Sequence, residues 1–256
     1  MRLETVTIRG RASDLAGLRY LPEGNRRSIG VVLAHGFTSG KYSLDGLANY
    51  LATRGYEALT FDFVGHKLGG TGGVMETIAQ APGNLADALH WMRGNSEVEQ
   101  IVLLGHSMGA AAALATAAWE LAERATPELI GKPGSKEDLG APLSGVICLC
   151  MGTEPSAGFD SPLGKAMLEQ RKDYVAGAPA LELIGEIDGL TASAAGIGSL
   201  PALFIAAKQD VLVSVDRVVR LAQLVENSSV QVIESSHLEA PDRSRAAVYT
   251  WLSQLR

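Results

Sequence analysis

The chain reads as an α/β protein: an eight-stranded, mostly parallel sheet flanked by helices, with a small helical cap. Short β-rich runs alternate with segments of helical periodicity, which is the pattern of strands joined by crossover helices. Central runs such as "SIGVVLAHG" are apolar throughout, as strands covered on both faces are. The 256 residues suffice for one sizeable core, so residues 1–256 are expected to form a single domain.

The elements follow in order. "ETVTIRG" and "LAGLRYLPEG" have no helical segment between them and predict an opening antiparallel pair. "SIGVVLAHG" predicts a buried strand ending at His35-Gly36. Leu44, Leu47, Ala48 and Leu51 then recur at helical spacing before the strand "YEALTFDF". Leu85, Ala88, Leu89 and Met92 mark a second helix, "QIVLLGHS" the next strand, and the Ala-rich stretch from Ser107 to about Arg124 a third helix. "SGVICLCMG" predicts another buried strand. "PALFIAAKQD" does the same, followed by a helix with Val215, Val218, Val219 and Ala222 on one face. "SVQVIESSH" and the stripe Val248, Trp251, Leu252, Leu255 complete the alternation.

Two segments interrupt it. Residues 125–144, rich in Pro, Gly and charge, predict an exposed loop. Residues 155–200 exceed what a simple crossover needs and predict a small cap over the strand ends. Within them Ser161-Pro162 is a helix start, since serine caps and proline suits the first turn. Leu163, Met167 and Tyr174 are expected to line one face of that helix.

Composition narrows the function. A net charge of −6 and the lack of any Lys/Arg-rich run argue against nucleic acid as a partner. The first residues carry charges and no apolar core of signal-peptide length, and no run suits a membrane span, so stable membrane insertion is not expected. Cys148 and Cys150 lie two apart in a strand, which places both on one face. They read as small buried hydrophobes in a reducing compartment, hence a cytoplasmic protein. No metal-ligand cluster, Walker loop or dinucleotide fingerprint is evident, so no cofactor is expected.

The chemistry concentrates in "LLGHSMGAA". Ser107 stands between Gly105 and Gly109 where a buried strand turns into a helix, the pattern of a nucleophile elbow. So sharp a turn strains the serine backbone, and the glycines relieve contacts with the adjacent strand and helix. The hydroxyl is held clear of the sheet, and the Met108 amide at the helix N-terminus faces developing negative charge. Serine needs a base. Among His35, His66, His90, His106 and His237, the best placed is His237, in a loop after the last strand. The base needs an acid. Asp210 follows "ALFIAAK" at a strand end, with Glu154 after "VICLCMG" as the alternative; the order Ser107, Asp210, His237 favours Asp210. A second amide donor is expected from "AHGFTSG", at Phe37, with Gly36 permitting close approach.

Through His35-Gly36-Phe37, Asp62–His66 ("DFVGH"), Gly105–Gly109, Asp210 and His237, nearly the whole chain resembles α/β-hydrolase-fold serine hydrolases. The resemblance implies Ser107 as nucleophile, His237 as base, Asp210 as its orienting acid, and the Phe37 and Met108 amides as an oxyanion hole. His35, Gly36, His106, Phe159 and Met167 are expected to face the substrate. The departure is "GHKLGGTGG", where many relatives continue with a small residue and serine after "DxxGHG". The expected partner is a small-molecule ester of short or medium acyl length. Thioesterases, C–C bond hydrolases and peptidases share the same constellation, and a silent ligand-binding protein could share the fold.

Overall fold

In the computed structural model, which describes residues 1–125 and 140–255, eight strands form one sheet in the order β1-β2-β4-β3-β5-β6-β7-β8. The strands are β1 (Arg2–Ile8), β2 (Leu15–Leu21), β3 (Ile29–Ala34), β4 (Glu57–Phe61), β5 (Gln100–His106), β6 (Leu143–Leu149), β7 (Ala202–Ala207) and β8 (Ser228–Ile233). β1 and β2 run antiparallel to their neighbours and every other pairing is parallel, so the α/β expectation and its opening antiparallel pair hold. Strands β3, β4 and β7 are buried along their whole length, which is why they read as unbroken apolar runs.

The helices are α1 (Asp45–Thr53), α2 (Gln80–Asn95), α3 (Met108–Ala125), α4 (Pro162–Arg171), α5 (Ala180–Thr191), α6 (Val215–Ala222), α7 (Ala240–Arg243) and α8 (Arg245–Leu252). They cover both faces. Leu47 and Leu51 of α1 and Val248 and Leu252 of α8 pack on one; Leu85 and Leu89 of α2 and Leu114 of α3 pack on the other. The chain leaves β3 for β4 on one side and then crosses to β5 on the other, so the carboxyl ends of β3 and β5 flank a topological switch point. An open parallel sheet offers a crevice there. Register makes the edge level: Ala34 pairs with Gly105, and Gly105 with Cys148.

Between β6 and β7 the chain forms α4, α5 and short 3-10 turns. Ser161 caps α4 as its sequence suggests, accepting the Gly164 N–H at 3.0 Å. The expected apolar face of α4 is corrected in one respect: Leu163 and Tyr174 are exposed, and the buried residue is Leu168. The helix breaks at Arg171, so the periodicity carried on to Tyr174 does not describe one continuous face. α5 turns its Leu183, Ile184 and Ile187 into the same core as α3. Hydrogen bonds fasten the insert to the β4–α2 loop, with Ala176 N–H on the Gly65 carbonyl at 2.8 Å and Met75 N–H on the Ala176 carbonyl at 2.7 Å. The loop expected over residues 125–144 lies almost entirely outside the described residues.

The glycines of "GHKLGGTGG" also find a structural reason. Asp62, at the end of β4, is buried and accepts from the Lys41 ammonium, the Lys41 N–H and the Gly70 N–H, the last two both at 2.7 Å. A Cβ at Gly69 would lie 2.0 Å from the Asp62 carboxyl carbon. The loop therefore closes around a buried ion pair, and its small residues make room for the carboxylate.

Candidate active site

At the end of β5 the backbone of Ser107 turns to φ 53°, in the left-handed region that side chains rarely adopt. Its N–H is held by the Leu149 carbonyl of β6 at 2.9 Å, and its own carbonyl accepts the Ala110 N–H of α3 at 2.8 Å. The flanking glycines are sterically required. A Cβ on Gly105 would sit 2.1 Å from the Gly109 carbonyl oxygen, and one on Gly109 would sit 2.2 Å from that of Ala34. Strand and helix thus approach as closely as backbones permit. Met108 opens α3, where the first amides have no acceptor within the helix and point their partial positive charge outward.

His237 follows β8, and its ring Nδ1 lies 2.6 Å from Asp210 Oδ2. Asp210 follows β7, and its other oxygen accepts the amides of Leu212 and Val213 at 2.8 and 2.9 Å. Burial alone would raise the Asp210 pKa, but the hydrogen bonds from His237 and the two amides reverse this and hold it below its ordinary value. The carboxylate is therefore ionised, and an acceptor on Nδ1 fixes the proton there, leaving Nε2 as the basic nitrogen. Glu154 does not take this place: it is exposed, on the turn after β6.

Ser107 and His237 line one cleft, together with Gly36, Phe37, His106, Phe159 and Met167. The cleft encloses about 630 Å³, part of it open to solvent. Among the described residues Thr38, Ser39, Ser43, Leu168, Arg171, Leu212, Leu238 and Pro241 also line it; sequence reasoning did not single these out, because a wall residue carries no motif.

His35 is the site residue that the fold places elsewhere. It is fully buried and does not line the cleft. Its Nε2 accepts the Phe63 N–H at 3.1 Å, so its Nδ1 is the donor to the Gly36 carbonyl at 2.8 Å. The ring is a strut between the loops that follow β3 and β4. Burial pushes its pKa well below the ordinary histidine value and keeps it neutral. His106 lines the cleft but is also tied down: its Nε2 donates to the His237 carbonyl at 2.9 Å, and burial pushes its pKa down to about 3.

Cys150 is a second correction. Cys148 packs in the main core, whereas Cys150 sits with Ala207 and Ala240, so the two do not share a face. β6 ends at Leu149 and Cys150 has φ 53°, which re-aims its side chain beside Asp210. Burial, and then the Asp210 charge, push its thiol pKa up, so it stays protonated. His106, Cys150 and His237 offer donor atoms within 4.8 Å of one another, but the hydrogen bonds already described occupy His106 Nε2 and His237 Nδ1.

The alpha/beta hydrolase family model matches residues 31–249, and the chain belongs to that family. No curated protein matches the sequence. Solved structures share the fold at low identity. Est1E from Butyrivibrio proteoclasticus, with ferulic acid bound, matches with a TM-score of 0.71 and 17% identity over 98% of both chains. The Pyrococcus furiosus esterase Pf2001 gives a TM-score of 0.65 and 18% identity over 99% of this chain and 90% of that one. The esterase domain of a Rhodothermus marinus protein gives 0.67 and 19% over 100% and 99%.

Proposed function

We propose that this protein is a serine carboxylesterase acting on small or medium acyl esters through Ser107, His237 and Asp210. The observation that carries the reading is the 2.6 Å bond from His237 Nδ1 to buried Asp210, set in the same cleft as a serine in a strained elbow. His237 Nε2 takes the Ser107 proton as Oγ attacks the ester carbonyl, and the Phe37 and Met108 amides bind the oxyanion. His237 then protonates the leaving alcohol, and water releases the acid from the acyl-enzyme by the same route. Residues 155–200 act as the cap, with Phe159 and Met167 bordering the acyl pocket. Esterases among the fold neighbours favour ester over peptide substrates. Two free, buried thiols fit a reducing compartment, the cytoplasm.

A fluorophosphonate probe followed by peptide mass spectrometry is expected to mark Ser107, and Ser107→Ala to lose both labelling and ester turnover. Unchanged ester hydrolysis by Ser107→Ala sinks the assignment. A panel of acyl esters, thioesters and peptides with the purified protein then fixes the bond cleaved.

A further inference from the structure

Other than Arg171, the half-exposed arginines among the described residues have partners. Arg19 holds Glu57 at 2.8 Å, Arg93 holds Glu120 at 2.8 Å, and Arg124 donates to the Gly140 carbonyl at 3.1 Å. Arg217 donates to the Glu154 carbonyl at 3.3 Å, and Arg245 pairs with Asp242. Arg171 breaks the pattern. It is half buried at the end of α4 and lines the cleft, yet among the described residues its guanidinium has no hydrogen bond or ion pair. Its near neighbour Glu169 is engaged by Lys172.

The surroundings give this cation a purpose. No carboxylate belongs to the cleft wall, and Arg171 is its one permanently charged side chain among the described residues. Met167 and Arg171 are four residues apart on α4, so they share a helix face, and both reach the cleft that Ser107 faces. Apolar Phe159, Met167, Leu168 and Leu212 also contribute to that wall. A substrate suited to this arrangement has an ester at one end, an apolar spacer, and an anion at the other. Guanidinium is planar and weakly hydrated, and it binds a carboxylate through two parallel hydrogen bonds.

We propose that the cleft selects esters that carry a carboxylate, bound by Arg171 while the ester carbonyl meets Ser107. This rests on the hydrolase reading above. The reaction is unchanged: water enters, and an alcohol and a carboxylic acid leave. The carboxylate can sit on the acyl or on the alcohol part, and two substrate pairs separate these cases. Methyl hydrogen adipate is compared with methyl hexanoate, and 4-acetoxybutyrate with butyl acetate.

In at least one pair the anionic ester is expected to exceed its neutral partner in kcat/KM by ~10–100-fold, the worth of a charge-assisted contact. Arg171→Gln should collapse that ratio toward unity, Arg171→Lys should keep part of it, and added salt should shrink it in the wild type. No preference in either pair, or one that survives Arg171→Gln, overturns the proposal. Binding tests it separately from turnover. Calorimetric titration of methyl hydrogen adipate into Ser107→Ala should show affinity that falls ~10-fold or more when Arg171→Gln is added. Equal affinities overturn the anion site even if esters are cleaved. Affinity lost with Arg171 in a protein that cleaves no ester leaves the anion site standing and removes the hydrolase reading.

Discussion

The carboxyl edge of the sheet and the insert between β6 and β7 both reach the same cleft, but they are built on opposite terms. At the sheet edge the backbone is crowded and strained. Thr38, Ser107 and Cys150, which follow β3, β5 and β6, all have positive φ, and Gly105 and Gly109 leave no space for a methyl group. In the insert Leu163 and Leu181 are exposed, and Gly185 and Gly189 of α5 face open space. Strain persists only where the surrounding structure over-determines it. A buried parallel sheet provides that support; two half-exposed helices do not. The candidate reacting groups thus sit where geometry is fixed by backbone, and the groups that would choose a substrate sit where side chains can change cheaply.

The sharpest way to break this contrast is at the acid. Asp210→Asn is expected to lower ester kcat/KM by ~10³–10⁴-fold, because an amide cannot hold His237 in the required tautomer. A comparable fall with Glu154→Gln instead would move the acid to the turn after β6. The next largest effect concerns stability. In urea denaturation Gly109→Ala is expected to cost about 3 kcal/mol through overpacking against the Ala34 carbonyl. Gly185→Ala in α5 is expected to gain roughly 0.5–1 kcal/mol from helix propensity alone. If both substitutions shift the midpoint in the same direction, the two regions are not built as differently as described.

Acid provides a third test. His35, His66 and His106 are buried neutral, with His66 pushed down to about 4 and His106 to about 3, mainly by burial. In the unfolded chain each takes a proton near pH ~6.5. Folded pKa values below unfolded ones mean that stability is complete above ~6.5 and is lost as pH falls toward the folded values. The loss is roughly 2 kcal/mol per histidine by pH ~5. Urea midpoints measured between pH ~7.5 and ~5 should decline accordingly, and the decline should be shallower in His106→Gln. A flat profile contradicts the neutral burial of these rings. The smallest effect belongs to the insert: Met167→Ala should raise KM for medium-chain esters a few-fold while leaving the unfolding free energy from urea denaturation within about 1 kcal/mol, as a partly exposed side chain permits.

Much of this was legible in the chain because it repeats a local rule. Buried parallel strands write themselves as apolar runs, and an elbow serine demands glycines at fixed offsets. Ser107, His237 and Asp210 could be placed at one edge because each follows a strand of one parallel sheet, and parallel strands share a carboxyl end. His35 was misplaced for the same reason. It too leaves a strand at that edge, but only packing against Phe63 and His66 turns its ring inward. Cys150 was assigned the wrong face because strand periodicity gives it the face of Cys148, and its positive φ has no sequence signature.

By itself, then, the sequence determined the element order and the glycine-flanked serine turn that ends β5, since these follow from periodicity and steric demands within a few residues. Tertiary structure decided that Asp210 rather than Glu154 meets His237, that "GHKLGGTGG" encloses Asp62, and that Arg171 faces the cleft without a partner among the described residues. Those outcomes depend on which distant segments come within hydrogen-bonding distance. Local periodicity carries no information about such distances, which are set only when the whole sheet closes against its helices.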